Sequence, residues 1–379
     1  MADVYERMLG ELADAGRLRA LASRSGHDFS SNDYLGLAES RELADAARAA
    51  LDRGVPAGSG GSRLLRGNHP EHEALEADAA RLFKSETALY FGGGFAANFA
   101  LFSAVPQRGD LVVYDELIHA SVHEGMRAGR ATCLMAPHND AGAVEDAIGR
   151  WRAEGGKGRA WIAVESLYSM DGDRAPIDDL MAVADRHDAM LVIDEAHATG
   201  VLGPRGHGLA AHLEGRSNVI TLHTCGKALG VVGALLCLPR SMRDFIVNRS
   251  RSFIYATAPP PLMAAVVRAA LAISETADER RQRLASIVTI AGERLAAHGF
   301  AASGSQIQPI IVGEDTRAVE LARRLQAKGF DIRAIRPPTV PPGTARLRMA
   351  LTLNTDEATV TCLIDTLADE LAAMKWNTP

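Results

Sequence analysis

The sequence predicts an α/β fold: a large domain built on a mainly parallel sheet, followed by a smaller α+β domain at the C-terminal end. Three observations carry this expectation. Between positions 87 and 238, apolar runs of strand length alternate with segments of helical periodicity, the pattern of βαβ units. One run ends in Asp194-Glu195 and another leads into Gly92-Gly93-Gly94, at the strand ends where parallel sheets collect ligands. After Pro259-Pro260-Pro261 the pattern changes to long helices interrupted by isolated strands.

The elements follow in order. Residues 1–16 form an amphipathic helix that contains acids, unlike a signal peptide. A strand at 87–91 leads through three glycines into a helix from Phe95. Strands follow at 111–114, running into Asp115, and at 160–165. Leu180, Val183 and Ala184 mark a helix over 178–187 that feeds a strand at 190–193. Two more strands occupy 219–222 and 234–238. Beyond the prolines, helices are expected at 262–274 and about 279–298, the second stopped by Gly299. A strand at 307–312, a helix at 316–328 stopped by Gly329, a strand through Ile335 and another at 346–351 follow. Asn354, three residues before Glu357, is the expected cap of the final helix. The expected division is an N-terminal segment (1–40), a large domain (41–275) and a small C-terminal domain (276–379).

At 379 residues the chain exceeds one small core. Its 47% hydrophobic and 23% charged content is that of a soluble globular protein. A net charge of −6 leaves no basic footprint for nucleic acid, and no apolar run is long enough to span a membrane. The cysteines Cys133, Cys225, Cys237 and Cys362 lack C-x-x-C spacing and read as free thiols, which points to the cytoplasm.

Lys227 is the odd residue. It sits in Thr224-Cys225-Gly226-Lys227-Ala228-Leu229-Gly230 with no other formal charge between Val219 and Pro239. A lone lysine at a strand end usually snorkels to solvent. A desolvated lysine instead has a lowered pKa, and its neutral amine can attack an aldehyde.

Other constellations bear on that choice. Asp194-Glu195-Ala196-His197 follows a strand, where an acid could pair with a protonated ring nitrogen and a histidine could bond a ring oxygen. The same letters spell a helicase box, but that reading needs a Walker A loop, and Lys227 is followed by Ala228 where the loop requires a hydroxyl. Gly92 to Asn98, between strand and helix, offers N–H groups to a phosphate. This stretch also fits G-x-G-x-x-A, and with Asp115 as a ribose partner it keeps an NAD-dependent oxidoreductase as the alternative. His119 and His123 stand four apart, but without a third ligand a zinc site is weaker than a ring stacked on a flat cofactor. Arg346 and Arg348 alternate about one strand residue, so they share a face suited to a substrate carboxylate.

Together these residues resemble the α-oxoamine synthases, which depend on pyridoxal phosphate (PLP) and share fold type I with aspartate aminotransferase. Further segments carry the resemblance: Ser30-Ser31-Asn32-Asp33-Tyr34-Leu35-Gly36, Ser169-Met170-Asp171-Gly172-Asp173, and Ile335-Arg336-Pro337-Pro338-Thr339-Val340-Pro341 with Gly343-Thr344-Ala345-Arg346-Leu347-Arg348. The last pair resembles the biotin-forming branch. The resemblance implies a homodimer with shared active sites, condensing L-alanine with pimeloyl-CoA or pimeloyl-acyl carrier protein. It implies that Lys227 carries the cofactor and moves the α-proton, that Asp194 pairs with the ring nitrogen, and that His197 and Ser169 serve the phenolic oxygen. His119 would stack on the ring and touch substrate. Gly94, Phe95 and Thr224 would form the cofactor and phosphate pocket, and Thr257 would reach the phosphate bound by the partner subunit. Arg348 would hold the amino-acid carboxylate, while Thr339 and Arg19 would meet the substrate. The segment 23–28 is shorter than in relatives, so Arg17 competes with Arg19 for the last role. A sister synthase using glycine or serine with another acyl-CoA is the alternative within the family.

Overall fold

The computed structural model describes residues 2–374. Its strands, in chain order, are β1 (His27–Asp28), β2 (Thr87–Phe91), β3 (Leu111–Asp115), β4 (Thr132–Ala136), β5 (Ala160–Glu165) and β6 (Met190–Asp194). They continue with β7 (Val219–Thr224), β8 (Ala234–Leu238), β9 (Ile307–Gly313), β10 (Phe330–Asp331), β11 (Ala334–Ile335) and β12 (Ala345–Ala350). The chain divides into two compact units: one spans Leu35–Ser169 and Arg174–Arg281, and the other takes the N-terminal segment to Tyr34, Met170–Asp173 and the chain from Gln282.

The larger unit holds a sheet of order β2-β8-β7-β6-β5-β3-β4. All pairs from β7 to β4 are parallel, whereas β8 runs antiparallel to both of its neighbours. Side chains alternate along each strand, so the sheet buries two faces. On one face Trp161, Val192, Ile220 and Leu222 pack with Ala97, Leu101 and Phe102 of the helix Gly94–Ala104 and with Val122 and Met126 of the helix Ala120–Ala128. On the other, Ile162, Leu191 and Val219 pack with Val144 and Ile148 of Ala141–Ala153 and with Leu180 and Val183 of Ile177–Arg186. β6 lies at the centre, so Asp194 ends a strand flanked by three others on each side.

The topology argues against the dinucleotide reading. Among the described residues, the strand before Gly92 is an edge strand whose one sheet neighbour is antiparallel. A Rossmann fingerprint instead follows a central parallel strand.

In the other unit, β9 and β11 flank β12 in an antiparallel sheet, and β1 pairs with β10. Helices Asp315–Ala327 and Glu357–Ala373 are found here, and the helix Asp278–Ala297 belongs to this unit from Gln282 on. The expected Asn354 cap is corrected: Asp356 is the N-cap, its carboxylate accepting from Thr359 N–H at 2.8 Å. The Asn354 amide donates instead to Asp28 and Asp33. Strand β4 was not anticipated, because an edge strand with Leu134 and Met135 both exposed shows no apolar alternation. Among the described residues no helix is long and apolar enough to cross a membrane.

Candidate active site

Lys227 stands on the loop of the β7–β8 hairpin. Cys225 N–H donates to Gly233 O, Val231 N–H to Cys225 O and Gly230 N–H to Lys227 O, which closes the loop on itself. Gly230 has φ of 69°, and a Cβ there would come within 2.5 Å of Ala38 N, so the turn requires glycine. The half-buried Lys227 brings its Nζ to 2.8 Å from His197 Nε2.

Asp194 ends β6 and is buried. Its Oδ1 accepts the N–H of Ala196 at 2.9 Å, and its Oδ2 accepts from Asn98 Nδ2 at 2.8 Å. The same amide donates to Ser121 Oγ at 3.0 Å, and that hydroxyl lies 2.8 Å from His119 Nδ1. His119 caps the helix Ala120–Ala128, its Nδ1 accepting from Ser121 N–H at 3.2 Å. With Nδ1 engaged as acceptor, a neutral ring carries its proton on Nε2. Part of His119 reaches solvent, yet the crowding of its imidazole lowers its pKa; the Asp194 charge opposes this and the Lys227 charge reinforces it. Gly125 lets the two helices approach, since a Cβ there would sit 2.8 Å from Phe102 Cβ. That close contact brings Asn98 and His119 together.

Glu195, next in sequence, faces the opposite side of the sheet. It accepts from Ser166 Oγ and from the N–H groups of Leu209 and Ala210. Burial pushes its pKa up to about 7, against those hydrogen bonds. Its role is to hold the loop at 207–210.

The helix Gly94–Ala104 starts without a side-chain cap, leaving its first N–H groups and positive dipole end available to an anion. A Cβ at Gly94 would lie 2.7 Å from Thr224 Cγ2. Thr224 is buried and donates through Oγ1 to Ala196 O at 3.3 Å. Ser169 is buried, and its N–H donates to Glu165 Oε2 at 3.1 Å. Phe95 and Thr257 are exposed. Asp115, the candidate ribose acid, is occupied by His138 Nδ1 and by the N–H groups of Leu117 and Asn139. His123 sets its ring edge-on to Tyr114, and no metal-holding group of side chains occurs among the described residues.

The larger unit therefore gathers Lys227, His197, Asp194, His119 and Thr224 into one connected set with the Gly94 helix start. Sequence reasoning missed Asn98, Ser121 and Glu165. The available signal for Asn98 was an amide in the otherwise apolar helix sequence Phe95 to Phe102.

In the other unit Arg346 is buried and forms an ion pair with Asp171, adding Met170 O at 3.2 Å. Arg348 is buried with Nη2 at 3.1 Å from Tyr34 Oη. Arg17 pairs with Asp315 at 2.6 Å, whereas the exposed Arg19 reaches Pro337 O at 3.2 Å. Thr339 is exposed.

The family model for class I and II aminotransferases matches residues 25–367. The chain is 40% identical to 8-amino-7-oxononanoate synthase of Chromobacterium violaceum over 371 residues, covering 94% of this chain and 96% of that one. Among solved structures it resembles SPT with a PLP internal aldimine, at a TM-score of 0.85 and 26% identity, covering 92% of this chain and 87% of that one. It also resembles 8-amino-7-oxononanoate synthase of Francisella tularensis, at a TM-score of 0.76 and 25% identity, covering 93% and 99%. The chain belongs to the class I and II aminotransferase family, in the branch that holds the 8-amino-7-oxononanoate synthases.

Proposed function

We propose that this chain is a PLP-dependent acyltransferase that condenses L-alanine with a pimeloyl thioester, releasing carbon dioxide and free thiol to give 8-amino-7-oxononanoate for biotin. The observation that carries the reading is the approach of Lys227 Nζ to His197 Nε2 at the same sheet end as Asp194. The 40% identity to a named oxononanoate synthase over nearly the whole chain supports the substrate pair over the sister synthases.

PLP fits the residues present. An amine, a buried carboxylate and an uncapped helix start match an aldehyde, a protonatable ring nitrogen and a phosphate. Glu165 Oε1, beside Asp194 and buried with no hydrogen-bond partner among the described residues, is an orphaned polar atom of a site made to hold something. When bound, PLP supplies an electron sink for the α-carbanion of the amino acid.

The residues act around that sink. Lys227 Nζ would hold the cofactor covalently until the amine of alanine takes its place, and the freed Lys227 amine would then carry the α-proton. His197, 2.8 Å away, orients that amine and serves the phenolic oxygen together with Ser169. Asp194 offers its carboxylate to the ring nitrogen, held in position by Asn98 and the Ala196 N–H. His119, its Nδ1 tied to Ser121, presents the face of its imidazole for stacking and meets the substrate. Gly94, Phe95 and Thr224 serve the phosphate, with Thr257 reaching the partner subunit's phosphate.

Arg348 holds the alanine carboxylate, and Arg346, on the same strand, pairs with Asp171. Arg19 and Thr339 meet the acyl substrate, Arg17 being paired with Asp315. The working unit is a homodimer: Leu65, Phe95 and Tyr255 are 82%, 52% and 74% exposed, large apolar side chains for a second copy to cover. The cytoplasm suits the free cysteines.

A thiol-release assay across alanine, glycine and serine with acyl thioesters of varied length tests the reading. Alanine with pimeloyl donor should be fastest, on coenzyme A or on acyl carrier protein. Faster turnover of glycine or serine with another acyl group would reassign the substrate.

A further inference from the structure

Glu165 ends β5 and stands directly beside Asp194 in the parallel register of β5 and β6. Trp161 and Ala163 of β5 share a core with Met190 and Val192 of β6, so the period of two puts Glu165 and Asp194 on that same face. Only 2% of Glu165 is exposed. Its Oε2 accepts the Ser169 N–H, while Oε1 is buried with no hydrogen-bond partner among the described residues. An acid whose buried oxygen finds no donor is expensive as an anion.

The neighbours indicate where the proton resides. Two adjacent carboxyls in a buried site cannot both ionise cheaply. Both oxygens of Asp194 already accept N–H groups, from Ala196 and Asn98, which favour its anion. Glu165 has one such donor. The charged groups around it are Asp194 on β6, Lys227 beyond β7 and Asp115 ending β3, with His119 and His197 at the same edge. Burial first, and then the Asp194 charge, push the Glu165 pKa up to about 8; Lys227 and the Ser169 N–H pull the other way.

We infer that Glu165 is a cofactor-binding residue that works as a neutral acid: it fixes the Ser169 turn through Oε2, presents Oε1–H as a donor to the bound cofactor, and leaves Asp194 the anion of the pair. The inference rests on the PLP reading above. It adds a second carboxyl whose task requires that it stay uncharged, the opposite of Asp194 beside it.

Glutamine keeps the shape and a donor but cannot ionise, so it separates this role from that of a carboxylate. The measurements are the cofactor dissociation constant of wild type, Glu165→Gln and Glu165→Ala across pH, followed by visible absorbance, with thermal melts to verify folding. Wild-type affinity should weaken as pH rises through about 8. Glu165→Gln should stay within about threefold of wild type at neutral pH and lose that pH dependence, while Glu165→Ala weakens binding about tenfold or more. A Glu165→Gln loss as large as that of Glu165→Ala would overturn the inference. So would an unchanged pH profile in Glu165→Gln, which decides the matter even if the alanine variant fails to fold. A wild-type chain that shows no visible cofactor band would remove the PLP reading itself.

Discussion

Asn98 Nδ2 lies 2.8 Å from Asp194 Oδ2, and this hydrogen bond ties the helix Gly94–Ala104 to the central strand of the sheet. The amide also engages Ser121, whose hydroxyl lies beside His119. One residue outside the proposed chemistry thus orients two inside it.

Asn98→Ala should therefore lower kcat about tenfold, the size of one lost buried hydrogen bond to a charged group. Asn98→Asp should be worse, because it sets a second anion against Asp194. Asp194→Ala marks the floor, with turnover reduced on the order of a thousandfold. Steady-state kinetics on the three variants verify the ranking, and an Asn98→Asp variant as active as Asn98→Ala would contradict it.

Gly94→Ala should weaken cofactor retention, because the new Cβ would lie 2.7 Å from Thr224 Cγ2. The double variant Gly94→Ala with Thr224→Ser removes the colliding methyl and should recover most of the affinity. Cofactor release on dialysis, read by absorbance, measures both. No recovery in the double variant would show that the glycine acts otherwise than by this contact.

Much of the candidate site was legible in the sequence because its residues stand at strand ends and glycine turns that leave strong local marks. Lys227 between glycines and Asp194 after an apolar strand are of this kind. Asp115 reads as a plausible ribose ligand only because sequence does not tell the two faces of a strand end apart. The structure gives Glu195 to Ser166 and the 207–210 loop, and Asp115 to His138 and two backbone N–H groups. Asn98 and Glu165 were hidden for a different reason: their importance depends on long-range partners, 96 residues away for Asn98 and in the adjacent strand for Glu165. The Asn354 cap was misjudged by two residues, since Asp356 offers the same chemistry closer to the helix start.

Asp115 gives a pH prediction. Burial raises its pKa, but the hydrogen bond from His138 and the N–H groups of Asn139 and Leu117 outweigh it, and the net value falls below the ordinary 3.8. A depressed acid stabilises the fold above its unfolded pKa, and that contribution is lost as pH falls through the folded value. Asp115→Asn should destabilise at pH 7 by about 1–3 kcal/mol, with the gap from wild type narrowing in strong acid. Denaturant melts at several pH values test this, and a gap that widens below pH 4 would contradict it.

The most direct measurement of the central claim maps the cofactor onto the chain. The lysines are Lys84, Lys157, Lys227, Lys328 and Lys375. After borohydride reduction of the PLP-loaded protein and proteolysis, the phosphopyridoxyl mass should sit on the peptide containing Lys227 and vanish in Lys227→Ala. Label on another lysine, or a label that persists in Lys227→Ala, would contradict the account.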